Sequence, residues 1–183
     1  MKRRLVFIVP LGIFCLVSII SAIALLQTIS GSRDTRQLPS ILIGKTAPPL
    51  TLPVLTVSSP DKRTGPILVN FFASWCSPCR IEAPALALLS KTIPVTGIAF
   101  KDKSQDTMRF LEQYGNPFQI VLMDETGVTA RQWGAYGVPE TFMLDTDGTV
   151  LLRHAGPIDK HILEDVFEPA LEGLKEQHRT AHQ

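Results

Sequence analysis

Cysteine, histidine and excess positive charge are all scarce in this chain of 183 residues. Three cysteines are too few for the disulfide frameworks that support small secreted domains. The net charge is +1, and Lys2, Arg3 and Arg4 alone contribute three positive charges, so the rest of the chain lacks the basic surface that nucleic-acid binding needs. No repeat of fixed length is present. The length suits one domain, with room for an anchoring or targeting segment.

A long apolar run follows the basic cluster directly. Residues 5–26 carry no charged side chain, and as a helix rising about 1.5 Å per residue they would cross a hydrocarbon core of roughly 30 Å. We therefore predict a cytoplasmic basic N-terminus at 1–4, one transmembrane anchor at 5–26 and the remainder on the far side of the membrane. A cleaved signal peptide ending at Ala22-Ile23-Ala24 is the alternative, although the run is longer than such peptides usually carry.

The polar segment after this run shows no apolar period and is predicted to be a linker at 27–43. The folded domain is predicted at 44–175, with a tail at 176–183. Within the domain, Ile67-Leu68-Val69-Asn70-Phe71-Phe72 suits a strand buried on both faces, and 79–91 suits a helix kinked at Pro84. Further strands are predicted at 95–100, 119–123, 140–144 and 149–153, and further helices at 104–114, at 129–133 and after Asp159.

Turn and cap signals complete this pattern. Ser104 is the candidate N-cap of the helix at 104–114, and Asp159 caps the last helix. The segment Asp145-Thr146-Asp147-Gly148 signals a hairpin between two strands. The order of elements predicts an α/β domain with a mixed central sheet and helices on both faces.

Two cysteines lie where the buried strand ends and the next helix begins, in Trp75-Cys76-Ser77-Pro78-Cys79. Unpaired N–H groups and the dipole at a helix N-terminus stabilise a thiolate, so Cys76 is the candidate nucleophile. Cys79, one turn further along, is the candidate resolving thiol that attacks a mixed disulfide at Cys76. Because Cys15 lies within the predicted anchor, we expect Cys76 and Cys79 to form the only disulfide.

Metal binding is the alternative use of this cysteine pair. A structural zinc site would need two more ligands from His154, His161, His178 and His182. A copper-carrying protein with His154 as third ligand is the stronger alternative, although His154 also fits the end of a hairpin as an ordinary polar residue. We predict no metal, and no cofactor besides the redox-active disulfide.

Several separated motifs resemble one protein family. Residues 67–79, ILVNFFASWCSPC, resemble the active-site strand and turn of the thioredoxin superfamily, and Pro84 falls where that family has its helix-kinking proline. Residues 133–142, WGAYGVPETF, and 153–156, RHAG, together with the predicted anchor, resemble the cytochrome c maturation thioredoxins of the CcmG/DsbE type. The resemblance covers roughly residues 44–173 and implies a thioredoxin-like fold with an extra βα unit.

The resemblance also implies roles for residues near the cysteines. Thioredoxin has a buried aspartate where this chain has Asn70, and Glu82, on the same helix face as Cys79, is available as proton acceptor instead. An exposed surface glutamate is the alternative for Glu82. Between the cysteines, Ser77-Pro78 departs from the dipeptide expected of the subfamily.

The later motif implies a substrate-binding segment. Its Val138–Pro139 bond is expected to be cis, which would turn the Val138 backbone toward an extended peptide; a trans proline that begins a strand is the alternative. Glu140 would be a second acidic group near the site, and Trp75 would lie at the rim of the cysteine pocket.

The function implied by the resemblance is reduction of disulfides by a single-pass protein of the bacterial inner membrane, with its domain in the periplasm. Its expected partners are apocytochrome c or haem-ligation maturation proteins, and a transmembrane electron donor of the DsbD or CcdA kind. A general periplasmic disulfide oxidoreductase, including an oxidase, and a copper metallochaperone remain alternatives. A thiol peroxidase would need a lone peroxidatic cysteine in a different motif.

Overall fold

The computed structural model describes residues 2–29, 40–58 and 65–181, with side chains at 10–26, 40–58, 65–174 and 176. The chain divides into two units, Met1–Leu38 and Pro39–Gln183. Most of the predicted linker at 27–43 lies outside the described residues, as do the side chains of the predicted basic N-terminus at 1–4 and nearly all of those in the predicted tail at 176–183.

The first unit contains the helix α1 (Lys2–Ile29), which is 28 residues long and includes Pro10. This helix covers the whole predicted anchor at 5–26, and the side chains described between 10 and 26 are exposed. Within the described part of the chain, no helix is long and apolar enough to span a membrane. The helical structure of the segment is confirmed, and the anchor stays a prediction.

The second unit is built on one mixed sheet of six strands in the order β1-β4-β3-β2-β5-β6. Its three central strands run parallel: β2 (Ile67–Phe72), β3 (Val95–Phe100) and β4 (Ile120–Asp124). Its other strands are antiparallel to their neighbours: β1 (Val54–Val57), β5 (Glu140–Leu144) and β6 (Val150–Ala155). The predicted mixed α/β fold is confirmed.

Helices join the strands and cover both faces of the sheet. They are α2 (Ser77–Leu89), α3 (Ser104–Tyr114), α4 (Val128–Gln132), α5 (Lys160–Ile162) and α6 (Glu168–Ala181). The alternation of side chains along β2 supplies both cores, since Leu68 and Phe72 join one buried cluster while Val69 and Phe71 join the other. Asn70 therefore points to the same face as Leu68 and Phe72, the face that α2 covers.

Three local features of the structure differ from what the sequence predicted. The edge strand β1 was not predicted, because its exposed Val54 and Val57 give it no buried alternation. Ser104 is not the N-cap of α3. The cap is Lys103, whose N–H donates a hydrogen bond to the Asp102 carboxylate. The last helix is interrupted by a π-helical turn at Leu163–Phe167, although its predicted cap, Asp159, is confirmed.

Candidate active site

The cysteine pair lies at the junction of β2 and α2. Cys76 is the N-cap of α2 with extended backbone, and its Sγ accepts a hydrogen bond from the Cys79 N–H at 3.1 Å. The two cysteines form a disulfide with their Cα atoms 5.3 Å apart, while Cys15 is free. The predicted pairing and the helix N-terminal position of Cys76 are confirmed.

Exposure does not distinguish the two cysteines, since Cys76 is 3% and Cys79 is 2% exposed. Their positions in α2 distinguish them. Cys76 precedes the first turn of the helix and accepts the hydrogen bond from the Cys79 N–H, whereas Cys79 lies on the buried face of α2. A hydrogen bond from an N–H group stabilises a thiolate on Cys76 once the disulfide is reduced. The geometry therefore fits Cys76 as nucleophile and Cys79 as resolving thiol.

A buried aspartate after β3 fixes the turn that leads into the cysteines. The Asp102 carboxylate accepts hydrogen bonds from Ser74 N–H at 2.7 Å, Ser74 Oγ–H at 2.8 Å and Thr107 Oγ1–H at 3.0 Å. Next to this turn, Trp75 is 56% exposed and its indole N–H donates to the Lys101 carbonyl at 3.2 Å. Trp75 is thus an accessible ring held at the cysteine turn, whereas Asp102 was not identified from the sequence.

Glu82 lies on the buried face of α2, three residues after Cys79, and is 0% exposed. Its Oε1 accepts a hydrogen bond from Asn70 Nδ2 at 3.0 Å, and its Oε2 accepts from the Ile158 N–H at 3.3 Å. Burial raises the pKa of Glu82 from 4.5 to about 7, and the two hydrogen bonds oppose that rise. Glu82 is therefore a buried residue and not the exposed surface glutamate of the alternative interpretation.

Asn70 links the strand β2 to the helix α2 and to the neighbouring strand β5. Besides its bond to Glu82, its Nδ2 donates to Thr141 Oγ1 at 3.0 Å on the adjacent strand β5. Its Oδ1 is buried and has no hydrogen-bond partner among the described residues. An amide in an otherwise apolar strand signals a buried polar contact, yet the sequence did not show that the contact is Glu82.

The motif of residues 133–142 leads into β5 and contains the expected cis proline. The Val138–Pro139 bond is cis, as expected, and Pro139 is buried. Val138 is half-buried and packs against the cluster that contains Cys76 and Cys79. Glu140, directly after Pro139, pairs with Phe71 near the end of β2, so Val138 and Pro139 precede β5 at the sheet edge from which β2 leads into the cysteine turn.

Glu140 follows Pro139 directly, but its side chain is buried and forms an ion pair with Arg153 of β6. Burial raises the pKa of the Glu140 carboxyl, and the Arg153 guanidinium is the main group that opposes the rise. The carboxylate is therefore bound by Arg153 rather than presented on the surface. Arg153 belongs to the RHAG motif, but the sequence alone does not indicate that Glu140 is its partner.

His154, the candidate third ligand for copper, is buried on β6 with its ring edge-on to Phe167. Among the described residues, no three His, Cys, Asp or Glu side chains form a group that could hold a metal ion. The copper-carrying alternative therefore gains no ligand set from this geometry.

Comparison with known proteins agrees with this arrangement. Residues 43–153 match the AhpC/TSA family. The chain is 39% identical over 170 residues to a "Thiol:disulfide interchange protein DsbE homolog" of Paracoccus denitrificans, covering 90% of this chain and 92% of that protein. It is 36% identical to the "Thiol:disulfide interchange protein DsbE" of Pasteurella multocida, covering 97% of this chain and 99% of the relative.

A solved structure shares the fold. It is a putative thiol:disulfide interchange protein DsbE from Chlorobium tepidum, with a TM-score of 0.62 and 31% identity. The match covers 72% of this chain and 97% of that one. Together with the cysteine geometry, these relatives establish thiol–disulfide oxidoreductase chemistry.

Proposed function

We propose that this chain, which belongs to the AhpC/TSA family and is a thiol–disulfide oxidoreductase, reduces the haem-binding cysteines of apocytochrome c. The observation that carries the proposal is the Cys76–Cys79 disulfide at a helix N-terminus, with Glu82 buried on the same helix three residues after Cys79. The cytochrome substrate is supported by the WGAYGVPETF motif and by relatives named DsbE. A c-type haem attachment site carries two cysteines in Cys-Xaa-Xaa-Cys-His, which form a disulfide when oxidised.

In the reduced protein the Cys76 thiolate attacks one sulfur of the substrate disulfide. A bond forms between Cys76 and that sulfur, the substrate S–S bond breaks, and the other substrate sulfur leaves as a thiolate that is protonated by solvent. The Cys79 thiolate then attacks Cys76 Sγ and releases the second substrate sulfur. Two electrons have passed to the substrate, and the chain is left with the disulfide seen in the structure.

Glu82 supplies the proton acceptor for the second step. Cys79 attacks only as a thiolate, so its proton must leave before resolution. A carboxyl with a pKa of about 7 is partly ionised near neutral pH and can take that proton, whereas an ordinary carboxyl would be a weaker base. The released substrate thiolate is the final destination of the proton.

The same proposal includes a location and a source of electrons. The apolar segment 5–26 would anchor the chain in the inner membrane, with the domain in the periplasm. Each turnover oxidises Cys76 and Cys79, so a dithiol must reduce them again. A transmembrane carrier of the DsbD or CcdA kind would deliver these electrons across the membrane.

Trapping of the mixed disulfide tests the proposal. In the full-length Cys79→Ser protein no internal thiol can release a substrate from Cys76, so covalent adducts should accumulate in native membranes. We expect them to collapse with dithiothreitol and to contain an apocytochrome, a haem-handling protein or the electron donor. Cys76→Ser should trap nothing, and Cys15→Ser is the matched control that should behave as the wild type.

Each other outcome has a definite meaning. Recovery of unrelated periplasmic proteins alone would refute the cytochrome substrate and favour a general disulfide oxidoreductase. Equal trapping by Cys76→Ser and Cys79→Ser would refute the assigned roles of the two cysteines.

A further inference from the structure

The loop between α4 and β5 carries an exposed aromatic ring and enters β5 beside the end of β2, from which the chain leads into the cysteine turn. Tyr136 is 74% exposed, and Val138, two residues later, packs against the cluster containing Cys76 and Cys79. We call residues 134–138 the Tyr136 loop. An exposed ring beside a site that binds polypeptides offers a large contact area at a low cost in side-chain entropy.

The buried ion pair of Glu140 and Arg153 directs its contacts to this loop. Glu140 Oε2 accepts a hydrogen bond from the Tyr136 N–H at 3.1 Å. Arg153 Nη2 donates to the Gly134 carbonyl at 3.4 Å, and its guanidinium carbon lies 5.0 Å from the centroid of the Tyr136 ring. Both the backbone and the ring of the loop are therefore held by one pair of side chains.

Stability alone does not account for such a pair. The side chains of Arg153 and Glu140 are 4% and 2% exposed, so both charges have lost most of their hydration. Replacing a buried ion pair by well-packed apolar side chains is often neutral or stabilising, because desolvation offsets the Coulomb attraction. What apolar side chains cannot supply is the set of directed bonds to the Tyr136 loop.

We propose that the Glu140–Arg153 pair positions the Tyr136 loop so that the Tyr136 ring contacts the polypeptide flanking the substrate disulfide. Tyr136 is then a substrate-binding residue, and Glu140 and Arg153 are positioning residues. The inference deepens the proposed function, but it requires only that the substrate be a disulfide within a peptide. The ring adds a contact that a small disulfide without flanking residues cannot make.

Two substrates separate this role from a purely structural one. One is an oxidised peptide with Cys-Xaa-Xaa-Cys-His in the middle of long flanks, and the other is glutathione disulfide. The measured quantity is the ratio of kcat/KM for the peptide to kcat/KM for glutathione disulfide. We expect Tyr136→Ala to lower this ratio about tenfold through KM for the peptide. Tyr136→Phe, which keeps the ring, should retain the wild-type ratio.

Variants of the pair test the positioning. Arg153→Met should lower the ratio as Tyr136→Ala does, and Arg153→Lys, which keeps a charge for Glu140 but loses the flat guanidinium, should lower it less. In the Tyr136→Ala background, Arg153→Met should add no further loss, because both changes remove the same contact. Lys160→Met, which breaks an exposed pair with Glu164, is the charge-matched control and should leave the ratio unchanged.

Three results would overturn the inference. A similar loss on peptide and glutathione disulfide with Tyr136→Ala would show that the ring is not a contact for flanking residues. Additive losses from Arg153→Met and Tyr136→Ala would show that the pair acts elsewhere. If Arg153→Met does not fold, a wild-type ratio with Arg153→Lys would have the same meaning. Recovery of unrelated periplasmic proteins alone in the trapped adducts would refute the proposed substrate but leave this inference intact.

Discussion

Replacing Glu82 by glutamine should change how the stability of the oxidised protein depends on pH. Glu82 is fully buried and its pKa is raised from 4.5 to about 7 by that burial. Between these two values the native protein holds a proton that the unfolded chain has released. The free energy of unfolding therefore falls as pH rises through this window, and a neutral glutamine side chain at this position removes that fall.

The size of the effect follows from the shift in pKa. A shift from 4.5 to about 7, at about 1.4 kcal/mol for each unit, corresponds to about 3 kcal/mol of destabilisation above pH 7. Below pH 4.5 this destabilisation vanishes, because Glu82 is protonated in both the native and the unfolded state. A glutamine amide facing the Ile158 N–H adds a cost, but that cost does not depend on pH. The test is therefore how the difference in unfolding free energy between Glu82→Gln and the wild type changes with pH, and not the size of that difference at one pH.

Urea unfolding of the oxidised wild-type and Glu82→Gln proteins at pH 5 and pH 8 measures this slope. We expect the variant to gain about 2.5 kcal/mol relative to the wild type between these two pH values, because part of the full effect has already occurred at pH 5. Glu112→Gln on the exposed face of α3 is the matched control and should show no such gain. A difference between Glu82→Gln and wild type that stays constant from pH 5 to pH 8 would refute the reasoning.

The same variant should slow resolution of mixed disulfides. If Glu82 accepts the proton of Cys79, its loss near neutral pH should reduce the resolution rate by roughly 100-fold, the range of general base catalysis. Decay of a mixed disulfide formed on Cys76 with a small thiol, followed from pH 6 to pH 9, measures this rate. An unchanged rate over the whole range would show that Glu82 takes no part in the reaction.

Three further substitutions test local packing and hydrogen bonding in the domain by urea unfolding. Gly97→Ala should destabilise by about 1–3 kcal/mol, because its Cβ would lie 2.7 Å from the Phe118 ring; an unchanged stability would contradict this close packing. Gly173→Ala, in the helix α6 with open space around it, should stabilise by up to about 1 kcal/mol, and any loss would contradict that space. Asp102→Ala should cost about 3 kcal/mol because the Ser74 donors lose their acceptor, and a loss below about 1 kcal/mol would be too small for that network.

Sequence was sufficient wherever one signal was strong and local. The unbroken apolar run of β2 and the Cys-Xaa-Xaa-Cys turn after it predicted the strand, the helix N-terminus and the disulfide. The Asp145-Thr146-Asp147-Gly148 hairpin was equally clear, since Gly148 adopts a φ of 83° that suits glycine.

Sequence was insufficient where a polar contact joins two different elements. The Asn70–Glu82 and Glu140–Arg153 pairs connect residues 12 and 13 positions apart on different elements. No period in the sequence encodes these pairings, because they depend on how α2 and β6 lie against β2 and β5. Each polar residue was visible, but its partner follows only from the packed sheet and helix.

The Asn70–Glu82 contact explains why an amide and an acid can share this buried space. A carboxylate at residue 70 would lie within hydrogen-bond reach of Glu82, and two buried carboxylates so close raise one another's pKa. The Asn70 amide instead donates a hydrogen bond that favours ionised Glu82, opposing the effect of burial. The two effects leave the pKa of Glu82 at about 7, where a carboxyl can both take a proton from a thiol and give it up again. The strand and the helix thus determine together, and neither alone, where the proposed proton acceptor titrates.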